Sequence, residues 1–445
     1  MRKIFLLLFI PILLIGCKKD GAALLFDAAP EERMAQQLAE LENKLLESEG
    51  AWKASLTTGT ATAKNAYNFY IKFNNDNTCR MQGDLTNETA SVWHETTYRI
   101  IWAMNASLLF DTFTYITMLQ EPSSSYGGTA PHGYRSDIEF EYIRSTADSV
   151  ILRGKKYSHE LILTKVGPDA IAELDLGKYI DKVDESDEFF LENENCYFLM
   201  NEGGPKYSVS IDKPIRKITI NWIGEDGLVK TASSNYAYSL DGLDIISPID
   251  VNGSIFSKLD ISGTSGEIVS TSNNYYTLLN NPFPIIPLSI SIGYSYSNFF
   301  LDHNAIYPGT TGIAAEVLGR LWEYMPLTMS QAPPGRKRFW FNPATVTVRF
   351  NETTKAVFFD FEVTQNATSW TDTFRFNYVR GEDNSLTFTK VGGGSINYVD
   401  TDFAEWASHI DGQTYDVEFY ADGGINYAKF TSRAATPFIF TLKII

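Results

Sequence analysis

Apolar and polar positions alternate along most of this chain, in short runs separated by polar turns. Phe69, Ile71 and Phe73 alternate with Asn68, Tyr70 and Lys72; Asn74-Asn75-Asp76-Asn77 then turns the chain and Cys79-Arg80-Met81 returns it. Comparable runs lie at Tyr98 to Trp102, Leu108 to Tyr115, Ile138 to Ile143, Val150 to Leu152 and Leu161 to Val166. A last alternating run, Phe438, Phe440, Leu442 and Ile444, suits a strand that completes a sheet. Helical spacing is rarer. Met34, Leu38, Leu41 and Leu45 form one stripe, behind Pro30 and the acidic Glu31 and Glu32 and ahead of Gly50. Ile313, Val317, Leu321 and Met325 form a second, and Phe403, Trp406 and Ile410 a third within Asp402 to Ile410.

This pattern predicts a mainly β protein. A leading helix and a barrel or sandwich are expected over residues 30–168, closed by the turn Gly167-Pro168-Asp169. Asp181 to Glu188 reads as a charged segment after that turn. One or two further antiparallel β domains with short helices are expected over 172–445, with a candidate split near 281–312, where Asn281-Pro282-Phe283-Pro284-Ile285-Ile286-Pro287 interrupts the pattern.

Four short segments recur in the same order. Tyr70 to Asn74 matches Thr347 to Asn351, and Leu108 to Asp111 matches Val357 to Asp360. Phe140 to Arg144 matches Phe376 to Arg380, and Leu163 to Gly167 matches Phe388 to Gly392. The order predicts two related β units, the second lacking at least one hairpin because its intervals are shorter.

The N-terminus changes the picture. Arg2 and Lys3 precede an apolar run from Ile4 to Ile15, and Leu14-Ile15-Gly16-Cys17 resembles a lipobox, at which a bacterial signal peptide is cut before a lipid-modified cysteine. Residues 1–16 therefore read as a signal peptide, 17–29 as anchor and tether, and Cys17 as the lipidation site. Lys18-Lys19-Asp20 partly resembles the signal that sends lipoproteins to the outer face of the outer membrane. The expected location is lipid-anchored at the outer membrane, on the cell surface rather than its periplasmic face.

The formal charge of −17, with no basic block, argues against a nucleic-acid partner, since phosphate contacts need clustered Lys and Arg. Beyond Cys17 only Cys79 and Cys196 remain, both in strand-like runs and read as buried thiols.

Motifs for catalysis fail. His94-Glu95 is half a zinc-protease motif with Tyr98 where the second histidine belongs, so no metal site is assigned. Gly392-Gly393-Gly394 opens no helix, Gly263-Thr264-Ser265-Gly266 is not a nucleophile elbow, and no cofactor is expected. A carboxylate pair for glycoside hydrolysis would first be sought at Asp111 and Asp360. The long loop from Ser123 to Gly133 has aromatics in it and around it, and Trp93, Trp102, Tyr126 and Tyr134 are the candidate ligand-binding residues.

Several stretches together carry a family resemblance: Phe26 to Met34, Ala51-Trp52-Lys53, Phe69 to Phe73, Leu109 to Phe113, Asp137 to Phe140 and Ile151 to Lys156. They resemble an uncharacterised family of Bacteroidetes outer-membrane lipoproteins, a domain of unknown function, most closely over residues 26–166. More distantly, the leading Trp followed by a strand meander is similar to lipocalin-like barrels. The resemblance implies a neighbourhood of starch-utilisation-type uptake genes and assigns no catalytic residue. The expected function is a non-enzymatic accessory lipoprotein, held to the membrane by its lipid, that binds a glycan or peptide for outer-membrane uptake proteins. The alternatives are a glycan hydrolase using a carboxylate pair and a scaffold for partner lipoproteins.

Overall fold

A computed structural model describes residues 29–60, 62–326, 342–392 and 400–444. The chain is mainly β, with antiparallel sheets and few helices. The signal-peptide and Cys17 assignments lie outside the described residues.

The first sheet contains nine strands: β1 (Ala51–Gly59), β2 (Lys64–Phe73), β3 (Thr78–Gly83), β4 (His94–Thr97), β5 (Arg99–Ala103), β6 (Asn105–Leu109), β7 (Glu139–Ser145), β8 (Ser149–Gly154) and β9 (Glu160–Val166). Their order is β4-β3-β2-β1-β9-β8-β7-β6-β5. The two edge strands, β4 and β5, are therefore joined by the single residue Tyr98. One residue spans about 3.5 Å, so the sheet must curl until its edges meet. Tyr98 is buried at that seam, its hydroxyl donating to the Asn74 carbonyl at 2.9 Å.

The inward face of this barrel carries Trp52, Ala54 and Leu56 of β1, Phe69 and Ile71 of β2, and Leu161 and Leu163 of β9, all buried. Helix α1 (Pro30–Leu46) adds Leu41 and Leu45 to the same core. The Trp52 indole N–H donates to the Leu45 carbonyl at 2.8 Å, satisfying an acceptor that the helix end leaves open. Short helices α2 (Asn87–Ser91) and α3 (Tyr115–Met118) sit in the connections, each capped by a threonine, Thr86 and Thr114. The run read as one strand from Leu108 to Tyr115 thus ends at Leu109 and resumes as α3.

The expected charged segment after Gly167 is helical. Pro168 starts α4 (Pro168–Asp175), and α5 (Lys178–Glu192) buries Tyr179, Val183, Ser186 and Phe189 at helical spacing. The acidic residues between them masked that stripe.

The second sheet holds β10 (Cys196–Leu199), β11 (Lys206–Asp212), β12 (Lys217–Ile223), β13 (Val229–Tyr238), β14 (Gly242–Val251), β15 (Ser254–Ser262), β16 (Ser265–Ser270), β17 (Tyr275–Thr277) and β18 (Leu279–Asn280). It is ordered β17-β16-β15-β14-β13-β12-β11-β10-β18.

A second barrel is formed by β19 (Asn298–Asp302), β20 (Asn342–Asn351), β21 (Ala356–Gln365), β22 (Thr368–Arg380), β23 (Leu386–Gly392), β24 (Thr414–Asp422), β25 (Ile425–Ser432) and β26 (Ile439–Ile444), closed by β19 pairing with β26. After the single turn α6 (Leu288–Ser291), helices α7 (Ile313–Tyr324) and α8 (Asp400–Ile410) fill its core. The Phe403 ring lies 4.6 Å from Phe374 and 4.9 Å from Phe361, and Trp406 lies 5.5 Å from Phe440.

Two compact units result, and they do not divide at Gly167. The first comprises residues 1–191, 211–218 and 234–275, the second 192–210, 219–233 and 276–445. A buried polar network explains why the first unit continues past 167. Asp84, fully buried, accepts from Arg216 Nη1 at 2.6 Å, the Tyr238 N–H at 2.8 Å and the Asn68 N–H at 3.0 Å. Asn68 Nδ2 donates onward to Asp244, which also pairs with Lys53 at 2.6 Å, and the Tyr179 hydroxyl donates to the Asn68 and Tyr238 carbonyls.

The repeat needs correction. Counting β4 and β5 as one interrupted strand, each barrel is an eight-strand circuit, so the second lacks no hairpin. Tyr70 to Asn74 and Thr347 to Asn351 do fall on the second strand of each. The other three matches fall out of step: fifth against third, sixth against fourth, eighth against fifth. Alternating aromatic and β-branched residues suit any barrel strand, and so they aligned in the wrong register.

Candidate functional site

The sequence candidates occupy built positions in the first unit. Trp93 donates its indole N–H to Asp175 at 2.7 Å, with the Arg80 guanidinium 4.3 Å over its ring. Trp102 lies on β5, half-buried against the barrel core. Tyr134 is packed edge-on to Tyr67 at 5.4 Å. Tyr126, in a 3-10 turn at Ser124–Tyr126, is the one exposed member. The long loop between them is folded back by an isolated bridge between Thr129 and Gly133.

Asp111 pairs with Arg99 in the first unit, and Asp360 pairs with Arg349 in the second while accepting from Thr373 at 2.7 Å. Both carboxylates are occupied by a neighbouring strand's arginine. His94 is on strand β4, its Nε2 2.9 Å from the Phe113 carbonyl, and among the described residues no group of three His, Cys, Asp or Glu side chains gathers to hold a metal.

A groove in the second unit was not anticipated. It has a volume of about 870 Å³, and none of the four aromatic candidates lines it. One wall comes from the sheet: Cys196 on β10, Ser208 to Ser210 on β11, Asn221 on β12 and the turn Gly227-Leu228-Val229. The facing wall comes from Pro284 to Ile286, Ile290 on α6, Tyr294 to Tyr296, and Glu352, Lys355, Arg380 and Asn384 at one rim of the second barrel. Three large apolar side chains stand open here: Leu228 is 62 % exposed, Tyr294 66 % and Val229 39 %. Single exposed apolar residues are ordinary, but several around one concavity mark an interaction surface.

The rim is electrostatically built. Glu352 lies in the turn between β20 and β21 and its side chain is 8 % exposed. It accepts from the Tyr378 hydroxyl at 2.5 Å, the Tyr294 hydroxyl at 3.1 Å and Arg380 Nη2 at 3.2 Å, and it pairs with Lys355. Arg380 Nη2 also donates to the Ile292 carbonyl at 3.1 Å, whereas its Nη1 is buried without a partner. Two cations thus share one carboxylate. Burial lowers the pKa of both Lys355 and Arg380, and for Lys355 the Arg380 charge adds to the effect. Lys355 also holds φ of +51°, a left-handed turn conformation that a side-chain-bearing residue other than Asn rarely adopts. Gly293 leaves room for this cluster, since a Cβ there would stand 2.9 Å from the Tyr378 hydroxyl.

Sequence reasoning missed the site because its lining is drawn from three distant stretches. The available signals were the Pro-rich run before α6, an apolar Leu228-Val229 directly after a polar turn, and a lysine at a hairpin position that favours Gly or Asn.

Among the described residues no helix is long and apolar enough to cross a membrane. No curated protein matches the chain. A domain of unknown function, DUF4302, matches residues 24–263, more than half of the sequence, taking in the first barrel and the sheet-side wall of the groove. The chain belongs to the DUF4302 family.

Proposed function

We propose that this chain is a non-enzymatic ligand-binding lipoprotein of a Bacteroidetes cell envelope, anchored through Cys17 at the outer membrane and serving an uptake system. The single observation that carries the binding role is the groove of the second unit, with its ring of exposed Leu228, Val229 and Tyr294 beside the Glu352–Arg380–Lys355 cluster. The anchor rests on Arg2, Lys3, the apolar run and Leu14-Ile15-Gly16-Cys17. A glycan or a peptide is the ligand class, delivered to a partner in the same membrane. The two carboxylates first considered for hydrolysis are each held by an arginine, which favours binding over turnover.

The test is a thermal-shift screen of the full-length protein against glycan and peptide libraries. A ligand present at 100 times its Kd adds about 2.7 kcal/mol to stability and raises Tm accordingly. A saturable shift with the ligand recovered intact supports the reading. Steady release of a cleaved product, or no shift from any library member, overturns it.

A further inference from the structure

The groove's lining is specific enough to name the chemistry of its occupant. Its apolar side is mainly aliphatic, Val209, Leu228, Val229, Ile285, Ile286 and Ile290, with two rings, Tyr294 and Tyr296, on the side of the barrel rim. A wall in which aliphatic side chains outnumber rings suits aliphatic side chains of a ligand better than sugar rings, which are gripped chiefly by stacking on aromatic faces. Between these residues stand hydroxyls and amides, among them Ser208, Ser210, Asn221 and Asn384, which donate and accept in the manner a peptide backbone requires. Ser208 donates to the Asn221 carbonyl and Asn221 Oδ1 accepts from Thr231, but a plain acyl chain would desolvate Ser210 and Asn384 without offering them a partner. At the barrel rim, Arg380 keeps a buried Nη1 donor without a partner, and Lys355, half-exposed, shares the Glu352 carboxylate with Arg380. The other acidic residue of the lining, Glu194, is exposed on the sheet side.

We infer that the groove binds the C-terminal end of a peptide bearing aliphatic side chains, its terminal carboxylate received by Arg380 and Lys355 and its last residues laid along Leu228, Val229 and Ile286. This deepens the ligand-binding reading and rests on it. The charge balance agrees: a second carboxylate beside two cations that share Glu352 restores neutrality in a half-buried cluster and gives Arg380 Nη1 an acceptor. The volume, about 870 Å³, suits three or four residues.

The experiment is calorimetric titration of the full-length protein with N-acetyl-Leu-Leu-Val carrying a free carboxylate, with the same peptide as its C-terminal amide, and with decanoate. The free acid should bind at least tenfold more tightly than the amide, and more tightly than decanoate. Arg380→Gln should erase the difference between acid and amide. Lys355→Gln, at an exposed turn, should narrow that difference partially and guards against a folding defect at Arg380. Equal affinity for acid and amide overturns the carboxylate claim, and if Leu228→Asp abolishes both, the ligand-binding reading survives without it. Tighter binding of decanoate overturns the choice of a peptide. Failure of all three probes to bind at 1 mM overturns the inference, and the library screen then decides the broader reading separately.

Discussion

In the first barrel the connection from the fifth strand to the sixth carries one helical turn, α3, whereas in the second barrel the same connection carries the eleven residues of α8. The connection from the first strand to the second differs as well: a short turn between β1 and β2, but α7 between β19 and β20. The two circuits therefore share a path and fill their interiors by different means. The first takes Leu41 and Leu45 from a helix that precedes it, and the second takes Phe403, Trp406 and the α7 stripe from helices inserted within it. Surface character divides along the same line. Trp93 and Tyr134 of the first barrel are engaged in a hydrogen bond and in packing, while the rim of the second keeps the open Tyr294 and an arginine donor without a partner. A barrel circuit fixes the wall and leaves the contents and rims to the connections, where binding sites commonly lie.

Removing the plugs should have the largest effect. Phe403→Ala should cost the second unit about 3–5 kcal/mol, because a buried ring leaves a cavity, and Ile116→Ala, in the corresponding connection of the first barrel, about 2–4 kcal/mol. Calorimetric unfolding should show each change mainly in its own unit's transition; equal effects on both transitions would mean the cores are not separate. Asp84→Ala comes next, at about 3 kcal/mol, since it strands the Arg216 guanidinium in the interior of the first unit. The second barrel's Arg349–Asp360 pair is half-exposed on its arginine side, so Asp360→Asn should cost about 1 kcal/mol or less. Urea midpoints of the two variants would reverse in order if the network were not what extends the first unit beyond residue 167.

Among the described residues each unit also carries one buried thiol. Burial pushes both Cys79 and Cys196 up to about 12, so neither should react with iodoacetamide at pH 8 until the protein unfolds, a slowing of roughly a thousandfold. Labelling of Cys196 well before Cys79 would show that the second unit opens first. The smallest effect is one of pH. Hydrogen bonds from Ser385 and the Arg433 charge hold the Asp383 carboxyl far below its usual range in the second unit. A carboxyl depressed on folding adds stability above its unfolded pKa and loses it as pH falls below about 4. Asp383→Asn should therefore flatten the acid limb of the second unit's stability between pH 4 and 2, measured by denaturant midpoints; an unchanged limb would contradict the pairing.

Much of the architecture was legible in the sequence. The α1 stripe, the hairpin at Asn74 to Asn77, the helices at Ile313 and Asp400 and the final alternating strand all follow from periodicity. Helix α5 was hidden because acidic residues surround Tyr179, Val183 and Phe189, and closure of the first barrel rests on Tyr98, whose role appears only when the strand order is known. The repeat was visible but misaligned, for strand composition records burial and not position in a circuit. The groove was illegible for a different reason. Leu228, Ile286, Lys355 and Arg380 are brought together only by the second unit's tertiary structure, and no local pattern joins them.

The measurement that bears most directly on the account is a parallel binding titration of three proteins, wild type, Leu228→Asp and Tyr126→Ala, with the peptide or glycan that first gives a saturable thermal shift. Tyr126→Ala, in the first barrel's loop, should bind as wild type does, and Leu228→Asp should lose at least tenfold in affinity while unfolding at the same temperature without ligand. Loss of binding in Tyr126→Ala with Leu228→Asp unaffected would place the site on the first barrel and contradict the account.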